Sequence, residues 1–150
     1  MKKLIFILLA LPLLFGSCDD DETETMIIDS SLPQGEFTAA RTGNFVDENE
    51  AGSTGSAALG TDADGDQFVR FGEGFNTALG TGTVTVFLST SATFMADPMN
   101  GNPNLLVLGP VRSSGVNFFK VPQGESTAKY THVILWCGSA AIPFGNASLM

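Results

Sequence analysis

The sequence predicts an all-β fold, a single antiparallel β-sandwich, on the strength of three observations. Seventeen glycines and seven prolines interrupt the 150-residue chain at short intervals. No stretch of three helical turns carries apolar residues at three- and four-residue spacing, which argues against helices. Between the interruptions, apolar and polar residues alternate with the two-residue period of a strand that buries one face. Together these features are typical of many short strands packed in two layers.

Eight segments have this strand pattern, and turn residues separate them. The fourth alternates most clearly, because Val84, Val86 and Leu88 fall on one face with threonine or phenylalanine between them. Pro122 ends the sixth, since proline cannot donate to a ladder. The predicted strands are residues 35–39, 53–59, 67–71, 83–88, 105–108, 116–121, 130–137 and 141–149. Their number and spacing fit a jelly-roll or an immunoglobulin-like sandwich, with a small barrel as the alternative.

Residues 1–17 have the features of a lipoprotein signal peptide. Two lysines precede an apolar run at residues 4–15, which is too short to span a membrane at about 1.5 Å per residue. The sequence Phe-Gly-Ser-Cys at residues 15–18 resembles a bacterial lipobox. This resemblance implies cleavage before Cys18 and attachment of lipid, including palmitate, to that residue. The alternative is an ordinary signal peptide that is cut near Ser17.

Residues 18–32 are expected to form a flexible tether, followed by one folded domain at residues 33–150. Four acidic residues come directly after Cys18, and such residues stay in water. A run of acids at this position resembles the surface-export signal of some Gram-negative lipoproteins, whereas in other bacteria an aspartate there retains the protein at the inner membrane. We expect a Gram-negative-type cell envelope, lipid anchorage in the outer membrane, and surface exposure as one option.

The charge of the chain narrows the choice of partners. Seven basic residues face sixteen acidic ones, for a net charge of −9. Two of the lysines belong to the signal peptide, so the mature chain is more acidic still. Nucleic acid and anionic lipid headgroups are therefore poor partners. The membrane, reached through the lipid anchor, is the partner that the sequence predicts most directly.

The C-terminal third resembles a known family. Residues 133–137 (Val-Ile-Leu-Trp-Cys) and 142–149 (Ile-Pro-Phe-Gly-Asn-Ala-Ser-Leu) are similar to the closing signature of the DM-thirteen domain family. That signature is a hydrophobic strand ending in Trp-Cys and then a Phe-Gly-x-Ala-x-Leu element. Earlier landmarks, such as residues 68–71 leading into Phe75, extend the resemblance over nearly all of the folded domain. Residues 79–82 (Leu-Gly-Thr-Gly) depart from the Gly-Pro-Asp-Leu that the family often has.

The resemblance implies an electron-transfer domain in which a cysteine acts as a bare thiol or as the ligand of a prosthetic group. The resemblance assigns this redox role to Cys137, with Trp136 next to it. Cys137 is also the one thiol left free if Cys18 is lipidated. The sequence does not identify a prosthetic group, and both haem and no group at all stay open. The alternative is a structural role, because free cysteine is among the most buried residue types.

The strand pattern predicts where the sulfur of Cys137 points. Successive residues of a strand face opposite sides, so Cys137 shares a face with Val133 and Leu135, and Trp136 lies on the other. The thiol then sits at the end of a central strand, beside Gly138. No lysine or arginine lies within six residues of it. We therefore expect burial to raise the pKa of the Cys137 thiol.

Asp62, Asp64 and Asp66 form a second candidate site. Three carboxylates at alternate positions around Gly65 resemble the opening of a calcium-binding loop. The distal part of that motif is incomplete here, so calcium is the weaker interpretation. The pair Asp64-Gly65 is also typical of a hairpin turn, which is the alternative interpretation.

Two functions from different classes follow from these residues. The first is a membrane-anchored redox module with an unidentified redox partner, in which Cys137 handles electrons or holds a cofactor. The second is a binding or adhesion β-sandwich displayed on the cell envelope, in which Cys137 is inert and loops 60–67 or 90–104 contact a ligand. Either function describes a module rather than a turnover enzyme, because the single histidine leaves little from which to build a catalytic set.

Overall fold

The computed structural model describes residues 29–94 and 102–150. The predicted signal peptide, the lipidation site at Cys18 and most of the predicted tether lie outside the described residues. Within the described ranges all regular structure is β, in eight strands. No helix in these ranges has the length and apolar character needed to cross a membrane.

Seven of the eight predicted segments coincide with strands, and the first overlaps a strand only at residues 38–39. The strands are β1 (Thr38–Asp47), β2 (Ser56–Thr61), β3 (Gln67–Phe71), β4 (Val84–Ser89), β5 (Leu105–Pro110), β6 (Asn117–Lys120), β7 (His132–Cys137) and β8 (Ile142–Ser148). Every ladder is antiparallel. The predicted bounds of β3 agree with the structure at both ends, because turns flank that segment on each side.

The strands form one sheet in the order β5-β4-β7-β8-β1-β2-β3-β6. The two end strands, β5 and β6, lie next to each other without pairing. The sheet therefore folds around its own apolar face as a barrel-like sandwich. This arrangement confirms the predicted all-β antiparallel class.

Strand β1 joins the two halves of the sheet. Its first part pairs with β2, and the part from Phe45 to Asp47 pairs with β8. A Cβ atom built on Gly43 would lie 2.0 Å from the carbonyl oxygen of Ser148, so only glycine permits this close crossing. The sequence predicts a strand at residues 35–39, which overlaps β1 only at residues 38–39, so the predicted position is wrong for most of the strand. The strand continues to Asp47 because its backbone pairs first with β2 and then with β8, although most of its residues are exposed.

Phenylalanine rings fill the centre of the core. The ring of Phe71 lies 5.0 Å from that of Phe45, 4.4 Å from that of Phe75 and 4.9 Å from that of Phe119. These four residues come from β1, β3, β6 and the segment after β3, so the cluster ties distant parts of the chain together. Strand β7, which bears Cys137, packs against the same core.

Candidate functional site

Cys137 lies at the end of β7, a strand in the interior of the sheet. It pairs with Val84 of β4 on one side and with Ile142 of β8 on the other. Its side chain is fully buried and belongs to the hydrophobic core together with Val133 and Leu135. The predicted orientation of these residues is therefore confirmed. Among the described residues Cys137 is the free cysteine.

The sulfur of Cys137 is buried under a thin cover. Gly82, from the segment before β4, and Ser139, from the turn after β7, are both exposed residues that lie over it. A Cβ atom built on Gly82 would be 3.6 Å from the Cys137 Sγ and 1.7 Å from the Ser139 Oγ. The φ angle of Gly82 is +147°, which further favours glycine. One layer of exposed residues thus separates the thiol from solvent.

Hydrogen-bond donors around the sulfur favour its thiolate form. The backbone N–H of Ala140 is the main cause, followed by the side chain of Ser139, whose Oγ lies 3.6 Å from Sγ. Burial acts in the opposite direction, and the backbone of Ser139 and the hydroxyl of Thr81 add to the donors. The balance lowers the pKa of the Cys137 thiol. The expectation of a raised pKa is wrong, because the donors come from turn residues rather than from lysine or arginine.

A prosthetic group bound directly to Cys137 does not fit this arrangement. Ligation needs an open position on the sulfur, whereas Gly82 and Ser139 occupy its outer side and core residues occupy its inner side. Within the described parts of the chain, no group of three or more His, Cys, Asp or Glu side chains is placed to hold a metal ion. The residues around the sulfur fit a bare thiol better than a liganded one.

Trp136 faces the opposite side of the sheet from Cys137. Its ring stacks on that of Phe94 at 3.9 Å with an interplanar angle of 17°. Phe94 in turn meets Phe87 edge-on at 5.0 Å. These three rings cover the outer face of β4 and β7. Trp136 is therefore next to Cys137 along the chain, but the strand backbone separates its ring from the thiol.

A family model described as Electron transfer DM13 matches residues 44–149. The chain belongs to the DM13 family. The matched region contains Trp136 and Cys137 and runs from within β1 to the end of β8, so the predicted family is confirmed. No curated protein and no solved structure matches the chain.

The three aspartates of this DM13 domain lie in the turn between β2 and β3. Asp62 accepts hydrogen bonds from the backbone N–H groups of Gln34 at 2.9 Å, Asp64 at 3.0 Å and Asp66 at 2.9 Å. The Gln34 bond is the main reason that the pKa of Asp62 is lowered. Gly65 has a φ of +85°, as a tight turn requires. These contacts are the ones expected of a hairpin turn.

The carboxylates of this turn are engaged with the protein itself. Asp66 forms an ion pair with Lys120 at 2.5 Å, and Asp62 is buried against the backbone groups described above. Asp64 is exposed at the tip. Since the three carboxylates serve different partners, the calcium interpretation gains no support from this geometry.

We expect Asp62→Ala to lower the thermal unfolding midpoint at neutral pH, because three backbone donors lose their acceptor. The pKa of Asp62 is lower in the folded chain than in the unfolded one. Its contribution to stability is therefore full above the unfolded value of about 3.9 and is lost as pH falls through the folded pKa. Calorimetric unfolding across this pH range measures the difference from wild type.

The matched control for this substitution is Asp64→Ala, which removes an exposed carboxylate from the same turn. Its unfolding midpoint should stay close to that of the wild type. Equal losses in the two variants, or a loss in Asp62→Ala that persists at the lowest pH, would show that the Asp62 carboxylate does not hold the turn.

Proposed function

We propose that this DM13 domain is an electron-transfer module of the cell envelope, anchored by lipid at Cys18, with the bare thiol of Cys137 as its redox centre. Membership of the Electron transfer DM13 family supports the general role. The observation that carries the assignment to Cys137 is the set of donors that lowers the pKa of its thiol. The thiolate is the reactive form of cysteine, so a site that favours it is suited to redox chemistry.

The chemistry that fits a bare thiolate is exchange with a disulfide. The Cys137 sulfur attacks one sulfur of a partner disulfide, a mixed disulfide forms, and the other partner sulfur leaves as a thiolate. A thiolate of a second, dithiol partner then attacks the Cys137 sulfur of the mixed disulfide and releases the first partner with both of its sulfurs reduced. The remaining thiolate of the dithiol partner attacks its own sulfur in the new mixed disulfide, which closes that partner's disulfide and releases Cys137 as a thiolate. Two electrons pass between the partners in one such cycle. The attack requires the cover formed by Gly82 and Ser139 to open, since Sγ is fully buried when it is closed.

The second candidate function is a binding or adhesion module in which Cys137 is structural. The full burial of Cys137 favours it, because an inert core cysteine needs no access to solvent. The two functions differ in one measurable property. A redox centre must react while the protein is folded, whereas a structural thiol reacts only after unfolding.

We expect native mature protein with Cys18→Ser to form one mixed disulfide, at Cys137, when it is incubated with oxidised glutathione. Thiolate plus glutathione disulfide gives the protein–glutathione disulfide and a glutathione thiolate, and intact-mass spectrometry counts the adduct. The rate should rise with pH around a midpoint that lies below the pKa of an ordinary thiol. It rises in that window because the donors around Sγ shift the equilibrium toward thiolate.

Two variants serve as controls for this reaction. Cys137→Ser should form no adduct, and Ser139→Ala should move the pH midpoint upward because it removes a donor to the sulfur. If the native protein forms no adduct over hours while the unfolded chain reacts at once, Cys137 is a structural thiol. The binding function would then replace the redox function.

A further inference from the structure

Basic side chains are concentrated on one surface of this acidic protein. The described ranges contain five lysines and arginines. Arg41 and Lys129 donate to backbone carbonyl groups elsewhere in the fold. The other three, with the two aromatic rings between them, form what we call the Phe118 surface. Its members are Phe37, Arg70, Arg112, Phe118 and Lys120.

The two arginines of the Phe118 surface have no carboxylate partner within the described residues. Arg70 lies over the Phe118 ring, with 6.0 Å between its guanidinium carbon and the ring centroid. The one ion pair found in these parts of the chain is that of Lys120 with Asp66. An unpaired guanidinium beside an aromatic ring keeps its donors available for a planar anionic group.

Two adjoining grooves share the Phe118 ring. One, of about 430 Å³, is lined by Phe37, Arg70 and Phe118 together with apolar residues of the segment before β1. The other, of about 260 Å³, contains Arg112 and Lys120 and follows the seam between the end strands β5 and β6. No acidic side chain lines either groove, although acidic residues outnumber basic ones in the chain. Both volumes are close to the range of small-molecule sites.

From this geometry we infer that the Phe118 surface is a binding site for a small amphiphilic anion, a molecule whose acidic group is attached to an apolar, ring-shaped body. The guanidinium groups of Arg70 and Arg112 would bind the acidic group, and the rings of Phe37 and Phe118 would cover the body. The site lies on the outer face of β3 and β6, away from the strand that carries Cys137. It therefore goes beyond the proposed redox function and does not depend on it.

Net charge decides between a small anion and a large one. The chain carries a net charge of −9, so a long polyanion or an acidic protein surface would meet repulsion over most of its contact area. A small monoanion is influenced mainly by charges within a Debye length of about 8–10 Å. Within that distance the two unpaired arginines line the grooves. Carboxylates are also near: Asp66 is paired with Lys120, Asp29 accepts hydrogen bonds from Ser31, and Glu36 adjoins the lining residue Phe37. A small anion would therefore be held by direct contact with the guanidinium groups rather than by the local field.

The test is a titration of the mature chain (residues 18–150) with 2-naphthoate, followed by backbone amide NMR. The neutral amide 2-naphthamide has the same rings without the charge and is the matched ligand. We expect saturable shifts at Arg70 and Phe118, with a Kd of about 1 mM or tighter for a ligand of this size. The neutral ligand should bind about tenfold more weakly. The shifts should be the same in Cys137→Ser, which separates this site from the redox proposal.

Variants then locate the charges that bind the ligand. Arg70→Gln and Arg112→Gln are each expected to weaken naphthoate binding about tenfold. Lys129→Gln removes the same charge from another part of the surface and should leave binding unchanged. Amide spectra of the free variants check that each one is folded.

Several results would overturn the inference. They are equal binding of naphthoate and naphthamide, equal weakening by Lys129→Gln and Arg70→Gln, shifts that map outside the Phe118 surface, and no saturation at about 10 mM ligand, well above the expected Kd. Tighter binding of the acidic peptide DDDETE at the same amides would also overturn it. That result would make an acidic peptide segment, such as residues 19–24 of this chain, the occupant of the grooves.

Discussion

Replacing Phe71 with alanine is expected to lower the free energy of unfolding by about 3–5 kcal/mol. The side chain of Phe71 is fully buried, and its ring contacts those of Phe45, Phe75 and Phe119. Truncation leaves a cavity that three surrounding rings cannot collapse to fill, and the edge and tilted contacts between rings are lost as well. Because domains of this size are stable by about 5–15 kcal/mol, the loss is a large part of the total. Urea denaturation measures it.

Two further variants separate the ring contacts from burial itself. Phe71→Leu keeps most of the buried volume and should cost clearly less than the alanine substitution. Val107→Ala, on the edge strand β5, truncates a residue that is 57% exposed and should change the free energy of unfolding by no more than about 0.5 kcal/mol. If Phe71→Ala were as mild as Val107→Ala, the phenylalanine cluster would not be the centre of the core.

Replacing Gly82 with alanine is expected to increase the rate at which a thiol reagent labels Cys137 in the native protein by about tenfold or more. The new methyl group would lie 1.7 Å from the Ser139 Oγ and 3.0 Å from its Cβ, so the Ser139 side chain must leave its position over the sulfur. The φ of +147° also disfavours a residue with a Cβ atom. Strain of this kind costs about 1–3 kcal/mol, and each 1.4 kcal/mol changes an opening equilibrium tenfold. The closed cover is destabilised, so the sulfur is exposed more often.

The same segment provides a matched control. A Cβ atom on Gly80 would meet nothing within 4 Å, so Gly80→Ala should leave the labelling rate unchanged. Labelling with N-ethylmaleimide under native conditions, quantified by mass, compares the two variants with the wild type. A Gly82→Ala protein that is labelled no faster than Gly80→Ala would mean that Gly82 and Ser139 do not control access to the thiol.

The parts of the fold that the sequence predicts well are those where local chemistry is sufficient. Strand β3 lies between an Asp-Gly turn and a glycine, so its bounds follow from neighbouring residues alone. The faces of β7 follow from the two-residue period of a strand, which places Cys137 inside and Trp136 outside. Strand β1 has neither flanking turns nor a clear alternation of apolar and polar residues. Its ladders to β2 and β8 hold it in place, and local sequence does not predict those ladders.

The chemistry of the site depends on contacts that sequence spacing does not contain. The family signature and the isolation of Cys137 point to this residue, and the two-residue period of the strand predicts the direction of its side chain. The donors that lower the pKa of its thiol come from the turn at Ser139 and Ala140 and from Thr81. Thr81 and Gly82 belong to the loop that departs from the family pattern, and that departure was the one available sign of its importance. Its position over the thiol depends on how β4 and β7 pair.

No sequence pattern predicts the Phe118 surface. Phe118 and Arg70 pair across two strands that are not consecutive in the chain. Arg112 joins them because the two ends of the sheet meet at the seam between β5 and β6. A charge count reports that arginines are scarce, but only tertiary structure reveals that most of them are neighbours.

The order of strands in the sheet sets the order in which this protein can be completed. Strands β7 and β8 are synthesised last, yet they lie in the middle of the sheet, between β4 and β1. The ladder between β1 and β8 pairs Phe45 with Ala147, about 100 positions later in the chain, so it can form only after β8 has been made. A chain truncated before β7 would therefore lack the middle of its sheet rather than an edge, and the eight-stranded sheet becomes cooperative only once β7 and β8 are present.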